Sequence, residues 1–303
     1  MLDVVGAGTN SVDEVLLLAA DTSSLAGSGK ARIAERHVFF GGQTATVTAA
    51  CSALGLRSGY VGAFGSDDNG KRMRAALSRR DIDFSYAIEC DAPNRSAIIL
   101  VDARGRRTVL WQRSEWLALT PEDIDPRSLD ARIVHVDDDD TALALHVART
   151  ARDAGREVTS DIEHRSDSVE QLISTVTHPI LGQHLAAQLA GEEDSERCLR
   201  RLRRLNPGVL CMTLGEEGAV ALEDDRFHVA PAFRVQVVDD TGAGDVFRAG
   251  VIYGLLQKWM VPEILRFANA AAAVSCTRLG AMPSVPSLAE VQHLLASTDN
   301  KNR

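Results

Sequence analysis

Residues 239–247 read DDTGAGDVF, with a strand-like run before them (RVQVV, 234–238) and an apolar helical run after them (VFRAGVIYGLLQKW, 246–259). The first turn of a helix leaves backbone N–H groups unpaired, and the helix dipole adds partial positive charge there. Gly242 and Gly244 admit backbone angles closed to other residues. With Ala243 between them, they leave those N–H groups bare, which is a cradle for an anion such as a phosphate. Asp245 would repel what the cradle attracts. Its place makes sense if it takes a proton from a hydroxyl that attacks phosphorus, while the cradle holds the charge on the transferred group. The plainer alternative is a helix N-cap; the flanking glycines favour the chemistry.

Four other stretches imitate functional motifs. GSGKA (27–31) lacks the glycine and the hydroxyl residue of a phosphate loop, because Ser24 and Ala31 stand there. GAGTNS (6–11) begins like a dinucleotide fingerprint, but Ser11 replaces the third glycine and no helical pattern follows, which argues against a nicotinamide oxidoreductase. Asp137–Asp140 reads as a solvated loop and helix cap rather than a metal site. The arginines of 197–204 read as one exposed helix face.

The elements that would position Asp245 alternate in type. DVVGAG (3–8), SGYVGAFG (58–65), RIVHVD (132–137), REVTSDIE (156–163) and GVLCMTLG (208–215) read as buried strands. TATVTAACSALG (44–55), DDNGKRMRAALSRRD (67–81), TALALHVARTARDAG (141–155) and SERCLRRLRRL (195–205) read as helices. Such alternation predicts a doubly wound, mostly parallel αβα sandwich in one domain, residues 1–303. Residues 11–19 and 31–40, and a hairpin over 96–111 turning at Ala103–Gly105, break the rhythm. They predict a small antiparallel lid built from about 11–40 and 95–113.

The net charge of −9 argues against a general nucleic-acid or anionic-membrane partner. Five scattered cysteines with no CxxC pair point to a reducing cytoplasm. The first fifteen residues lack a basic segment followed by an apolar core, so no secretory leader is expected, and no window reaches about 18 uncharged apolar residues.

DDTGAGDVF together with GGQTATVTAACSALGLRSGYVGAFGSDDNG (41–70) resembles the two signature regions of the ribokinase-like, or PfkB, carbohydrate kinases. GAGTNSVDEV, TLGEEGAV (213–220), FANAAAAVSCTRLGAMPSVP (267–286) and the DARGRRTV hairpin add to the likeness, which covers nearly the whole chain and is nearest the fructokinase and ketohexokinase side. The resemblance implies an ATP-dependent kinase that phosphorylates a hydroxyl, primary by expectation, of a sugar. It implies Asp245 as general base, with Gly242, Ala243 and Gly244 as the anion hole. Asp13, Gly41, Gly42, Gln43 and Thr46 would meet the sugar. Thr213, Gly215, Gly218 and Asn269 would meet ATP. Asp239, Thr241 and Ser284 would form a loop for a monovalent cation such as K⁺. Mg²⁺ is implied with ATP, and a homodimer through the lid is expected.

The sequence departs from the family pattern in three places. Thr46 stands where an Asn is usual. The interval 177–191 lacks the Asn-x-x-Glu motif that organises magnesium. Arg248 follows DVF where a smaller residue or a histidine is common; it would contact an anion or pair with an acid. Lys30 and Arg107, from lid strands, are candidates to face the sugar. A nucleoside kinase on the same fold, or a sugar or nucleotide sensor without turnover, are the other readings; an aromatic content of 5% disfavours base stacking.

Overall fold

Val4 and Val5 are neighbours on one strand, both buried, and they pack into different cores. That alternation sets the layering. The structure, a computed structural model, describes residues 1–20, 30–104 and 106–299. In chain order it runs β1 (Leu2–Ala7), β2 (Ser11–Leu18), β3 (Ile33–Gly41), α1 (Gln43–Ala53), β4 (Ser58–Val61), β5 (Ala63–Gly65), α2 (Asp68–Ser78), β6 (Ile88–Cys90), β7 (Ser96–Val101) and β8 (Arg107–Gln112). It continues with β9 (Ala131–Asp137), α3 (Thr141–Asp153), β10 (Glu157–Asp161), α4 (Val169–Thr175), β11 (Ile180–Gly182), α5 (Gln183–Ala190), α6 (Ser195–Leu202), β12 (Leu210–Thr213), β13 (Gly218–Glu223), β14 (Arg226–Pro231), α7 (Ala243–Leu256), α8 (Val261–Ser275) and α9 (Leu288–Asp299).

Strands β4, β1, β9 and β10 lie side by side, all parallel. Parallel bridges between Thr159 and His178 and between Ile162 and Leu181 carry the sheet on to β11 and β12; β13 and β14 close it antiparallel. One face packs on α1, α7, α8 and α9 through Val4, Val47, Ile133, Ile252 and Phe267. The other packs on α3 to α6 through Val5, Val134, Val147, Leu172 and Leu199. Strands buried on both faces favour apolar runs, as in VV of β1 and IVHV of β9, although β10 (EVTSD) buries polar residues as well. Helix α1 is built of small residues because the sheet leaves it little room: a Cβ on Gly6 would lie 2.4 Å from Thr48 Oγ1.

A separate four-stranded sheet, in the order β3-β2-β7-β8, arises where β1 runs on into β2. Its pairings are antiparallel except for β2 with β7. Ser58–Gly65 forms two strands rather than one: β4 joins the main sheet, while β5 turns away to pair with β6. RVQVV is not a strand. It has no neighbour to pair with, Val237 and Val238 are exposed, and the Val238 N–H donates to the Cys276 carbonyl at the end of α8. The turn expected at Ala103–Gly105 and the GSGKA stretch fall partly outside the described residues. Among those described, no helix is long and apolar enough to cross a membrane.

The chain goes from β1 to β4 on one side, then to β9, β10 and β11 on the other. This reversal opens a crevice at the carboxyl ends of β1 and β9, the usual ligand position in such sheets.

Candidate active site

Helix α7 begins at Ala243, three residues earlier than the glycine spacing suggests. Its N-cap is Gly242, held in the left-handed region at φ 79°, where a Cβ would lie 2.8 Å from the Ala281 Cβ. Asp245 is therefore the third residue of the helix and not its cap. The Ala243 N–H already donates to the Asp240 carbonyl (3.1 Å). Helix geometry leaves the amides of Gly244 and Asp245 with no partner in their own helix. The amides left free by the helix thus begin one residue further along than the sequence suggests.

Asp245 is half-buried, not sealed in. Its neighbours come from β10. Asp161, at the carboxyl end of that strand, is fully buried beside it, and Glu163 lies just beyond. Arg248, one turn along α7 and 0% exposed, pairs with Asp161 and with Glu163 Oε1 (3.1 Å). Burial, and then the charge of Asp161, push Asp245 well above the usual carboxylate range. Burial likewise raises Asp161, to about 8, against the pull of Arg248. Two close acids, one of them fully buried, beside one guanidinium share a proton readily. Burial works against the charge of Arg248, but the carboxylates of Asp161, Glu163 and Asp245 outweigh it. His135 stays neutral beneath the cluster, lowered to about 3 by burial and by Arg248.

On the β1 side, Asp13 of β2 accepts from Ser11 Oγ (2.5 Å), and burial raises its pKa. Gly41 lies against it: a Cβ there would be 3.4 Å from Asp13 Oδ2 and 4.0 Å from Thr46 Oγ1. Gly42, at φ 89°, caps α1, and a Cβ there would sit 2.4 Å from Asn10 Cα. Gln43 opens α1, half-buried. Thr46 is fully buried and its hydroxyl has no hydrogen-bond partner. Its Cγ2 lies 3.5 Å from where a Gly242 Cβ would be. Asp13, Gly41, Thr46 and Gly242 are thus successive neighbours, although one motif is near the N-terminus and the other near the C-terminus.

The four acids of 137–140 are not a solvated loop. Asp137 is buried and accepts from the Thr9 amide (2.8 Å), Thr9 Oγ1 (2.8 Å) and Thr44 Oγ1 (2.7 Å), tying β9 to the crevice. Asp138, also buried, accepts from the amides of Glu163 (2.7 Å) and His164 (2.5 Å) and so fixes the backbone beyond β10. Asp139 pairs with Arg95 and Arg113, and only Asp140 caps a helix.

The residues expected to meet ATP lie on β12, the turn after it, the start of β13, and α8. Thr213 ends β12, and Gly215, at φ 58°, has open space around it. Gly218 is required by packing, since a Cβ would sit 2.2 Å from the Ala230 carbonyl oxygen. Asn269 is buried; its Nδ2 donates to the carbonyls of Ala230 (2.8 Å) and Pro231 (3.3 Å), so that nitrogen anchors β14. The expected cation loop is already engaged. Asp239 Oδ1 accepts from the Thr241 amide (3.0 Å), Thr241 Oγ1 (2.7 Å) and Arg107 Nη2 (2.7 Å), and Oδ2 from the Gly280 amide (2.8 Å). Ser284 Oγ donates to the Ala281 carbonyl (2.8 Å). Arg107 reaches this loop from the second sheet; Lys30 is exposed.

Sequence reasoning passed over Asp161. The available signal was its place at the carboxyl end of a strand that is buried from Val158 onward, where parallel sheets present groups to ligands.

The sequence profile of the pfkB family carbohydrate kinases matches residues 10–288. An ATP-dependent ribose-1-phosphate kinase of Halopiger xanaduensis is 31% identical over 258 residues, 84% of this chain and 86% of that one. A fructokinase of Klebsiella pneumoniae is 29% identical over 284 residues, 84% and 91% of the two chains. The structure of an Arabidopsis thaliana ribokinase complexed with ribose and ATP superposes with a TM-score of 0.82 at 21% identity, covering 97% of this chain and 98% of that one. The chain belongs to the PfkB family of carbohydrate kinases and has the ribokinase-like fold. It is an ATP-dependent phosphotransferase of the sugar and nucleoside kinase group.

Proposed function

We propose that this kinase transfers the γ-phosphate of ATP to a primary hydroxyl of a sugar or sugar derivative, with Asp245 as general base. The observation that carries this reading is the run of contacts from Asp13 through Gly41 and Thr46 to Gly242, which sets a hydroxyl-binding acid beside the bare amides under Asp245. Asp13 can accept from paired sugar hydroxyls, and the unpartnered Thr46 hydroxyl supplies a further polar contact. Thr213 ends β12, two strands from β10, so strand spacing puts the nucleotide loop about 10 Å from Asp161. A phosphate lying over the amides of Gly244 and Asp245 would meet partial positive charge as the acceptor oxygen attacks in line. The β3-β2-β7-β8 sheet acts as the lid that keeps water from the phosphate. The sparse aromatic residues favour a sugar over a nucleoside. ADP release measured over ketoses, aldoses, sugar acids and nucleosides tests the reading: turnover with sugars supports it, and turnover with nucleosides alone defeats it.

Mg²⁺ accompanies ATP and neutralises its phosphates. Among the described residues no three His, Cys, Asp or Glu side chains are arranged to hold a metal. The Asp239–Thr241 loop does not suit a monovalent cation through the Asp239 side chain, whose carboxylate already holds four donors, one of them the Arg107 guanidinium. The positive charge at this loop comes from the lid strand. Replacing K⁺ by choline at constant ionic strength is therefore expected to leave both turnover and thermal stability unchanged; a severalfold loss of turnover would contradict this.

Every position of β8 is exposed, with Val109, Leu110 and Trp111 together on an edge strand. An edge of this kind pairs readily with another chain. A homodimer through the lid is the expected assembly. Light scattering should give twice the chain mass, and a monomer at micromolar concentration would refute it. The five cysteines are free thiols, in keeping with a reducing cytoplasm.

A further inference from the structure

Arg248 is the largest fully buried side chain among the described residues, and nothing in the proposed chemistry requires it. Its guanidinium lies behind the anion turn: a Cβ on Gly244 would sit 2.7 Å from Arg248 Nη1. The same group pairs with Asp161, whose carboxylate adjoins Asp245, and with Glu163. Its Nε is buried without a hydrogen-bond partner. A buried arginine carries a large desolvation cost, and a well-packed apolar side chain of similar volume often does better. Its retention here therefore points to a task other than stability.

We propose that Arg248 is a positioning residue for phosphoryl transfer, one whose charge balances the Asp161–Asp245 pair and which supports the Gly244 amide from behind. The inference rests on Asp245 as the base. The charged and titratable groups around the pair are known from each element packed against it. Asp161, Glu163 and His164 come from β10 and its extension, Arg248 from α7, His135, Asp137 and Asp138 from β9 and its end, and Cys211 from β12. Among the described residues Arg248 is the cation in direct contact with Asp161; His135 stays neutral, and His164, drawn toward the charged form by Asp138, Glu163 and Asp161, is exposed and turned to Asp138. Without Arg248, burial and mutual repulsion would act on the two acids with little to oppose them. Each would hold its proton to higher pH, and a protonated Asp245 cannot accept one from an alcohol.

The test is the pH profile of kcat/KM with the best acceptor sugar. An opposite charge at this range lowers a carboxylate pKa by roughly one to three units. Arg248→Met should therefore move the acidic limb upward by at least about one pH unit. Arg248→Lys should leave the limb near its native position while lowering kcat, since a lysine keeps the charge but not the contact behind Gly244. Should Arg248→Met not fold, Arg248→Met/Asp161→Asn removes both charges, and its limb should lie near the native one. A shifted limb in Arg248→Lys, or an unshifted limb in a folded Arg248→Met that has lost turnover, overturns the proposal and leaves Arg248 a structural residue. Failure of the underlying reading looks different: Asp245→Asn would then keep its turnover whatever happens at residue 248.

Discussion

Asp245→Asn should lower turnover at least about 100-fold, within the usual range for loss of a general base. The substitution keeps the shape and one acceptor oxygen but cannot take a proton. It also removes one of two neighbouring acids whose charges oppose each other. The variant should therefore fold as well as the parent or better, and it should bind ATP unchanged, because the amide cradle does not depend on the carboxylate. Thermal unfolding and a nucleotide titration separate these outcomes from a general collapse. Near-native turnover in the purified variant would remove Asp245 from the chemistry.

Gly242→Ala should be nearly as damaging, for a different reason. At φ 79° an alanine is strained by about 1–2 kcal/mol. Its Cβ would also press on Ala281, 2.8 Å from Cβ and 2.9 Å from Cα. Backbone cannot yield as a flexible side chain does, so the turn must shift. A displacement near 1 Å at a site that works by positioning costs about 100-fold in rate. We expect a fold loosened by about 1–3 kcal/mol and a turnover reduced about 100-fold, read from denaturant unfolding and steady-state kinetics. A variant with native turnover would show that the turn does not hold the transferred group.

Both predictions concern a stretch that stood out in the sequence, and the structure differs from that reading in detail. GAG looked like turn because glycine is a poor helix former, yet Gly242 takes the left-handed angle and lets the helix begin at once. RVQVV has the composition of a strand but no partner, and pairing rather than propensity makes strands. Helices α1, α2 and α3 were readable because their caps and buried faces are local. The Asp161–Arg248 pair was not, since nothing within either segment announces the other. The same holds for Arg107, whose partners lie on the far motif. Asn269 carried a functional expectation, yet its amide nitrogen ties down a strand.

The most direct measurement is the structure of the protein with a non-hydrolysable ATP analogue and the sugar that gives the greatest ADP release. The account predicts the γ-phosphate over the amides of Gly244 and Asp245, with one sugar hydroxyl in hydrogen-bonding reach of the Asp245 carboxylate and in line with phosphorus. An acceptor hydroxyl that approaches from elsewhere, with Asp245 still facing Asp161 alone, would contradict it.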